Sequence, residues 1–121
     1  MATLRAVERR HEPRSQADLG LLVWCIETKG ARFLQEARAR EISLSGALLS
    51  GLDAELSPGD VIGILYAGKK ARYQVIWVRE SGPGHKIQAA VYRIAPDECP
   101  WGDLLKKEHA GDPPAVSQPA R

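Results

Sequence analysis

Two short segments hold the residues with the clearest chemistry. Arg9-Arg10-His11-Glu12-Pro13-Arg14 gathers guanidiniums near the start of the chain, and Glu41-Ile42-Ser43-Leu44-Ser45-Gly46 sets a carboxylate and two hydroxyls in a turn closed by glycine. A guanidinium is a rigid fork of donors that matches phosphate oxygens and the O6/N7 edge of guanine, whereas lysine offers a point charge. Ser43 can add a short hydroxyl hydrogen bond. Gly46, lacking a Cβ, can let a backbone amide approach a ligand or adopt positive φ. The pair of segments therefore reads as an anion site able to contact guanine.

The spacing resembles the RxxxR and (D/N)xSxxG motifs of PilZ domains, which bind cyclic di-GMP in bacterial signalling. Arg10 and Arg14 meet the first motif, with Arg9 as the doubled arginine. Ser43 and Gly46 meet the second, and Glu41 stands where that family carries Asp or Asn. The resemblance runs from about residue 9 to 105 and draws further on Ala47-Leu48-Leu49 and Val75-Ile76-Trp77-Val78. It implies a six-stranded antiparallel β-barrel, and a ligand site made by Arg9, Arg10, Arg14, Glu41, Ser43 and Gly46. A plainer reading stays open beside it. Glu8 and Glu12 can pair with the arginines for only ~0.3–0.5 kcal/mol each, and residues 43–46 can be an ordinary turn.

Those residues need elements to hold them. The 121 residues suffice for one domain with its own core, without metals or disulfides. Basicity is local, since the formal charge is only +2, unlike a protein that coats nucleic acid. Cys25 and Cys99 lie far apart, without CxxC spacing, and His11, His85 and His109 are scattered. Neither a structural disulfide nor a zinc site is expected. Cys25 reads as a small buried hydrophobe. The N-terminus lacks the apolar stretch of a signal peptide, and no apolar run approaches the ~20 residues of a membrane span. Cytoplasmic residence is the resulting expectation.

Most apolar segments have strand length and composition. Residues 21–26 are apolar on both faces, as in a strand between the core and a covering segment. Residues 32–42 mix helix-forming and strand-like signals, and the family resemblance decides for a strand. Gly46 to Leu49 reads as a short strand ended by Ser50-Gly51. Ser57-Pro58-Gly59-Asp60 reads as a turn, and Val61 to Ala67 with Ala71 to Glu80 as a hairpin about Gly68-Lys69-Lys70. Tyr73, Val75 and Trp77 are placed on one face. Ile87 to Ile94 is the last strand, and Trp101 to Glu108 a short helix laying Trp101, Leu104 and Leu105 on the barrel. The expected fold is all-β with a short C-terminal helix: a flexible arm over 1–15, the barrel and helix over 16–108, and a disordered tail over 109–121.

Function follows from what is present. No nucleophile has a base beside it, and no P-loop or carboxylate pair in an apolar setting is found, so the chain reads as a binding module and not an enzyme. The resemblance implies a sensor of cyclic di-GMP, without other cofactor, that relays the signal to a protein partner. An alternative is a PilZ-like adaptor that has lost the nucleotide, because the longer Glu41 displaces the carboxylate or pairs with Arg10 or Arg14. An RNA-binding barrel is weaker, since the few aromatics read as core.

Overall fold

The computed structural model describes residues 14–82, 84 and 86–105. Six antiparallel strands close into a barrel, as the sequence implied, and their order around it is β1-β2-β3-β6-β5-β4. They are β1 (Ser15–Glu27), β2 (Leu34–Ile42), β3 (Gly46–Leu52), β4 (Val61–Tyr66), β5 (Lys69–Glu80) and β6 (Ile87–Arg93). A helical turn, α1, occupies 102–105. The expected helix body beyond 105, the tail over 109–121, and most of the arm lie outside the described residues. Ser15 already belongs to β1, where it pairs with Ile42.

Alternation builds the core. Leu21 and Val23 of β1, Ala37 and Ala39 of β2, Leu49 of β3, Ile62 and Ile64 of β4, Tyr73 and Val75 of β5, and Ala89 and Val91 of β6 all point inward and are buried. This explains why β2 is a strand despite its helix-forming composition: two alanines spaced by two fill the interior, while Arg38 and Arg40 face out to Asp18 at 2.6 and 3.8 Å. A helix would scatter those alanines around its circumference. Burial of an alternate row outweighs propensities worth tenths of a kcal/mol per residue.

Several boundaries differ from expectation. β3 continues through Ser50 and Gly51 to Leu52, because a register shift between Leu49 and Leu52 absorbs Gly51 at φ 77°. The β4–β5 turn is Ala67-Gly68, one residue earlier than expected, with φ 53° and 82°. Positive φ at both central residues is what a two-residue turn needs to match strand twist. Cys25 is half-buried, and its sulfur accepts the Phe33 amide at 3.4 Å. Residues 57–60 do form the expected turn, and Asp60 is buried within it, accepting from the Ser57 amide at 2.8 Å and the Lys29 amide at 3.3 Å.

The largest departure is in β5. A register shift between Val75 and Trp77 places both Ile76 and Trp77 outside, 42% and 39% exposed, while Tyr73 and Val75 remain in the core. Trp77 thus leaves the face on which strict alternation put it. Trp101 does pack inward as expected: it is 1% exposed, with its ring 5.6 Å from that of Tyr73.

Candidate functional site

The β2–β3 turn owes its shape to bonds within itself. The Ser43 amide donates to the Gly46 carbonyl at 3.0 Å, and the Gly46 amide donates to Ser43 Oγ at 3.1 Å. Both polar groups that could greet a ligand are therefore engaged locally, and Ser43 is buried. Gly46 is required by packing, since a Cβ would sit 2.5 Å from the Val91 carbonyl oxygen and 3.1 Å from the Tyr92 ring. Its φ is not positive, so close approach, and not a left-handed conformation, selects glycine here.

Beside this turn lies a cavity of about 350 Å³ on the outer face of the barrel. Arg14, Glu41, Ser43 and Gly46 line it, so four of the six residues singled out in the sequence meet at one place. Arg9 and Arg10 lie outside the described residues. Pairing of the strands sets its floor as a row: Glu41 opposes Leu48, Leu48 opposes Ala90, and Ala90 opposes Trp77. Ala90 is small, so the centre of that row is low and its ends are high. The charged end is Glu41, 3.7 Å from Arg14, and both are solvent-accessible, with side chains 36% and 68% exposed. At such exposure the pair contributes only ~0–1 kcal/mol.

The other end was not legible as a site. Trp77 presents its ring to solvent, and the Arg79 guanidinium stands over it, 5.1 Å from the ring centroid. Arg79 Nε also donates to Gln88 Oε1 at 3.1 Å, which holds the guanidinium plane in place. An exposed indole under a guanidinium is a platform on which a flat ring can stack. The signal missed in the sequence was the unbroken run Val75-Ile76-Trp77-Val78, too long for simple alternation, followed at once by Arg79.

A larger groove, about 680 Å³, lies elsewhere, lined by Trp24, Ile26, Lys69, Lys70, Arg72 and the 97–99 segment. Its charges are largely spoken for. Arg72 Nε donates to Asp97 at 3.0 Å, and Lys69 lies 3.2 Å from Asp103. Hydrogen bonds from the Arg72 side chain and amide hold the Asp97 carboxyl below its ordinary range. Arg38 does the same to Asp18. The smaller cavity, which joins accessible charge to an exposed aromatic, is the better ligand site. Among the described residues no group of three or more His, Cys, Asp or Glu is placed to hold a metal ion, and no helix is long and apolar enough to cross a membrane.

No family model matches this chain, and no curated protein matches it. Among solved structures it is similar to the Bacillus subtilis inhibitor of motility, MotI/DgrA, with TM-score 0.62 and 13% identity. The likeness is one of fold. The alignment covers 82% of this chain and 48% of the other, so the chain spans about half the length of that neighbour.

Proposed function

We propose that the protein is a PilZ-like signalling module that binds cyclic di-GMP in the cavity between Arg14 and Trp77 and relays the signal to a protein partner. The observation that carries this reading is the convergence of Arg14, Glu41, Trp77 and Arg79 on one open cavity. A cyclic dinucleotide offers anionic phosphates for guanidiniums and flat bases for the indole and Arg79, and the cavity supplies both chemistries. The resemblance of Arg10, Arg14, Ser43 and Gly46 to the family motifs, and a fold shared with a motility inhibitor, support it further. Arg9 and Arg10 complete the phosphate contacts in this reading. Binding is not followed by a chemical step, and the module works in the cytoplasm.

Ser43 and Gly46 act in this proposal through the turn they build, since their hydroxyl and amide bond each other. That same bond favours the second reading, a nucleotide-independent adaptor whose serine turn is kept for architecture alone. Calorimetric titration with cyclic di-GMP separates the two. Micromolar or tighter binding is expected, and Arg14→Ala should then cost about 1.5–3 kcal/mol, roughly ten- to hundredfold in affinity. Absence of heat and of thermal shift at about 100 μM ligand, far above a micromolar Kd, leaves the adaptor reading in possession.

A further inference from the structure

The serine turn has an inner side as well as an outer one. Three successive carbonyls, those of Ser43, Leu44 and Ser45, accept hydrogen bonds from the end of β6 and the segment that follows it. Arg93 donates its amide to Ser45 O at 2.7 Å and its Nε to Leu44 O at 3.0 Å. Ser43 O accepts twice, from the Trp101 indole Nε1 at 2.9 Å and from the Cys99 thiol at 3.8 Å. Cys99 and Trp101 in turn start α1: the Gly102 amide donates to Cys99 O at 3.3 Å, and the Leu104 amide to Trp101 O at 3.0 Å. Arg93 Nη1 also donates to Asp97 O at 2.6 Å, and Asp97 is held by Arg72. One short turn therefore anchors the 97–105 segment, whose residues 97–99 form a wall of the larger groove.

The geometry of a peptide unit gives this anchor a direction. Ser43 C=O and Leu44 N–H belong to one planar trans amide, so they point opposite ways. The carbonyl is aimed inward at Trp101 and Cys99, and the Leu44 N–H is consequently aimed away from them. It has no backbone acceptor among the described residues, and Leu44 is 48% exposed. An acceptor placed on that N–H polarises the amide and makes its carbonyl a stronger acceptor, because hydrogen bonds in series reinforce one another.

We propose that the Ser43–Leu44 peptide unit is a coupling element: an anion accepting from the Leu44 N–H tightens the Trp101 and Cys99 bonds to Ser43 O, and so stiffens the 97–105 segment beside the larger groove. With cyclic di-GMP as the anion, this rests on the function proposed above. Trp101 is then a positioning residue for output and makes no contact with ligand. The reciprocal effect must also hold, since coupling between sites is symmetric in binding free energy.

Two arms test it. In the full chain carrying Cys25→Ser, Cys99 is the sole thiol, and its alkylation rate is followed with and without cyclic di-GMP while binding is read by calorimetry. Saturating ligand should slow alkylation about fivefold, the low end of ordinary coupling between sites. Adding Trp101→Phe, which keeps an aromatic ring but deletes the N–H donor, should leave the heat of binding and reduce the slowing, with only the Cys99 bond to Ser43 O left to carry it. Heat with an unchanged alkylation rate, or equal slowing in the Phe variant, overturns the coupling. The second arm needs no ligand. Trp101→Phe and Cys99→Ala each remove a donor from Ser43 O, so both should shift the Leu44 amide proton upfield, by more than those of Ala47 and Leu48. A Leu44 resonance that stays put in the folded variants overturns the proposal whether or not nucleotide binds. Absence of heat with the Leu44 shift present sinks only the nucleotide reading.

Discussion

Gly46 and Gly63 sit on neighbouring walls of one barrel and are glycine for different reasons. At Gly46 the obstacle to a Cβ is the backbone of β6, through Val91 O, so the residue is fixed by strand packing. At Gly63 the obstacle is the indole of Trp24, which lies across the outer face of β4 and fills the space itself. One wall, β2-β3-β6-β5, thus leaves its outward hollow open above Ala90, with Arg14, Glu41 and Trp77 around it. The other, β1-β4, covers the hollow at Gly63 with the Trp24 side chain. An outward gap in a barrel is a site only where the chain does not plug it.

Two tryptophans provide the largest test of that difference. Trp101 is buried and Trp77 is exposed at the cavity rim. Trp101→Ala should cost about 3–5 kcal/mol of stability in denaturant unfolding. Trp77→Ala should change stability by no more than about 0.5 kcal/mol, yet weaken cyclic di-GMP by about 1–3 kcal/mol for a lost stacking partner. A Trp77 variant that unfolds the barrel would make that wall core and not site. The glycines come next. Gly46→Ala should cost about 3 kcal/mol or more, because paired backbone cannot retreat. Gly63→Ala should cost about 1 kcal/mol, since the half-buried Trp24 ring can swing into solvent. Equal unfolding midpoints for the two would erase the distinction.

Much of this architecture was legible in the sequence, and the failures have physical causes. Strand length and composition between turn residues made β4 and β6 plain, and the Ser57–Asp60 turn was announced by Pro58-Gly59. The β2 segment was not legible from propensity, because Ala37 and Ala39 are good helix formers whose small volume happens to suit the interior of a narrow barrel. Trp77 was misplaced because a register shift is a property of two strands together and shows in one of them only as the unbroken apolar run Val75-Ile76-Trp77-Val78. For the same reason the site was half visible. Arg14, Glu41, Ser43 and Gly46 are close in motif, while Trp77 and Arg79 join them only through the pairing of β3 with β6 and β6 with β5.

A smaller effect sharpens the view of the interior. The Tyr73 hydroxyl is buried with no hydrogen-bond partner among the described residues, and burial pushes its phenol well above the ordinary range. Tyr73→Phe removes an unsatisfied polar atom and keeps the ring against Trp101, so it should be neutral or stabilise by up to about 1 kcal/mol. A loss of more than that amount would mean the hydroxyl has a partner in solution. The smallest effect concerns the rim. Glu41→Asp shortens the reach toward Arg14, and an exposed pair worth ~0–1 kcal/mol limits the gain in nucleotide affinity to about fivefold. Tenfold weaker binding by the Asp variant would instead assign Glu41 a direct contact with ligand.

The contrast between the two walls is tested most directly by mapping amide and indole resonances of the labelled full chain during titration with cyclic di-GMP. The expected result is a set of shifts centred on Leu48, Ala90, Arg79 and the Trp77 indole, with Trp24, Ile26 and Gly63 changing far less. Shifts centred on Trp24 and Gly63, or none at saturating nucleotide, would contradict the assignment of the open wall as the ligand site.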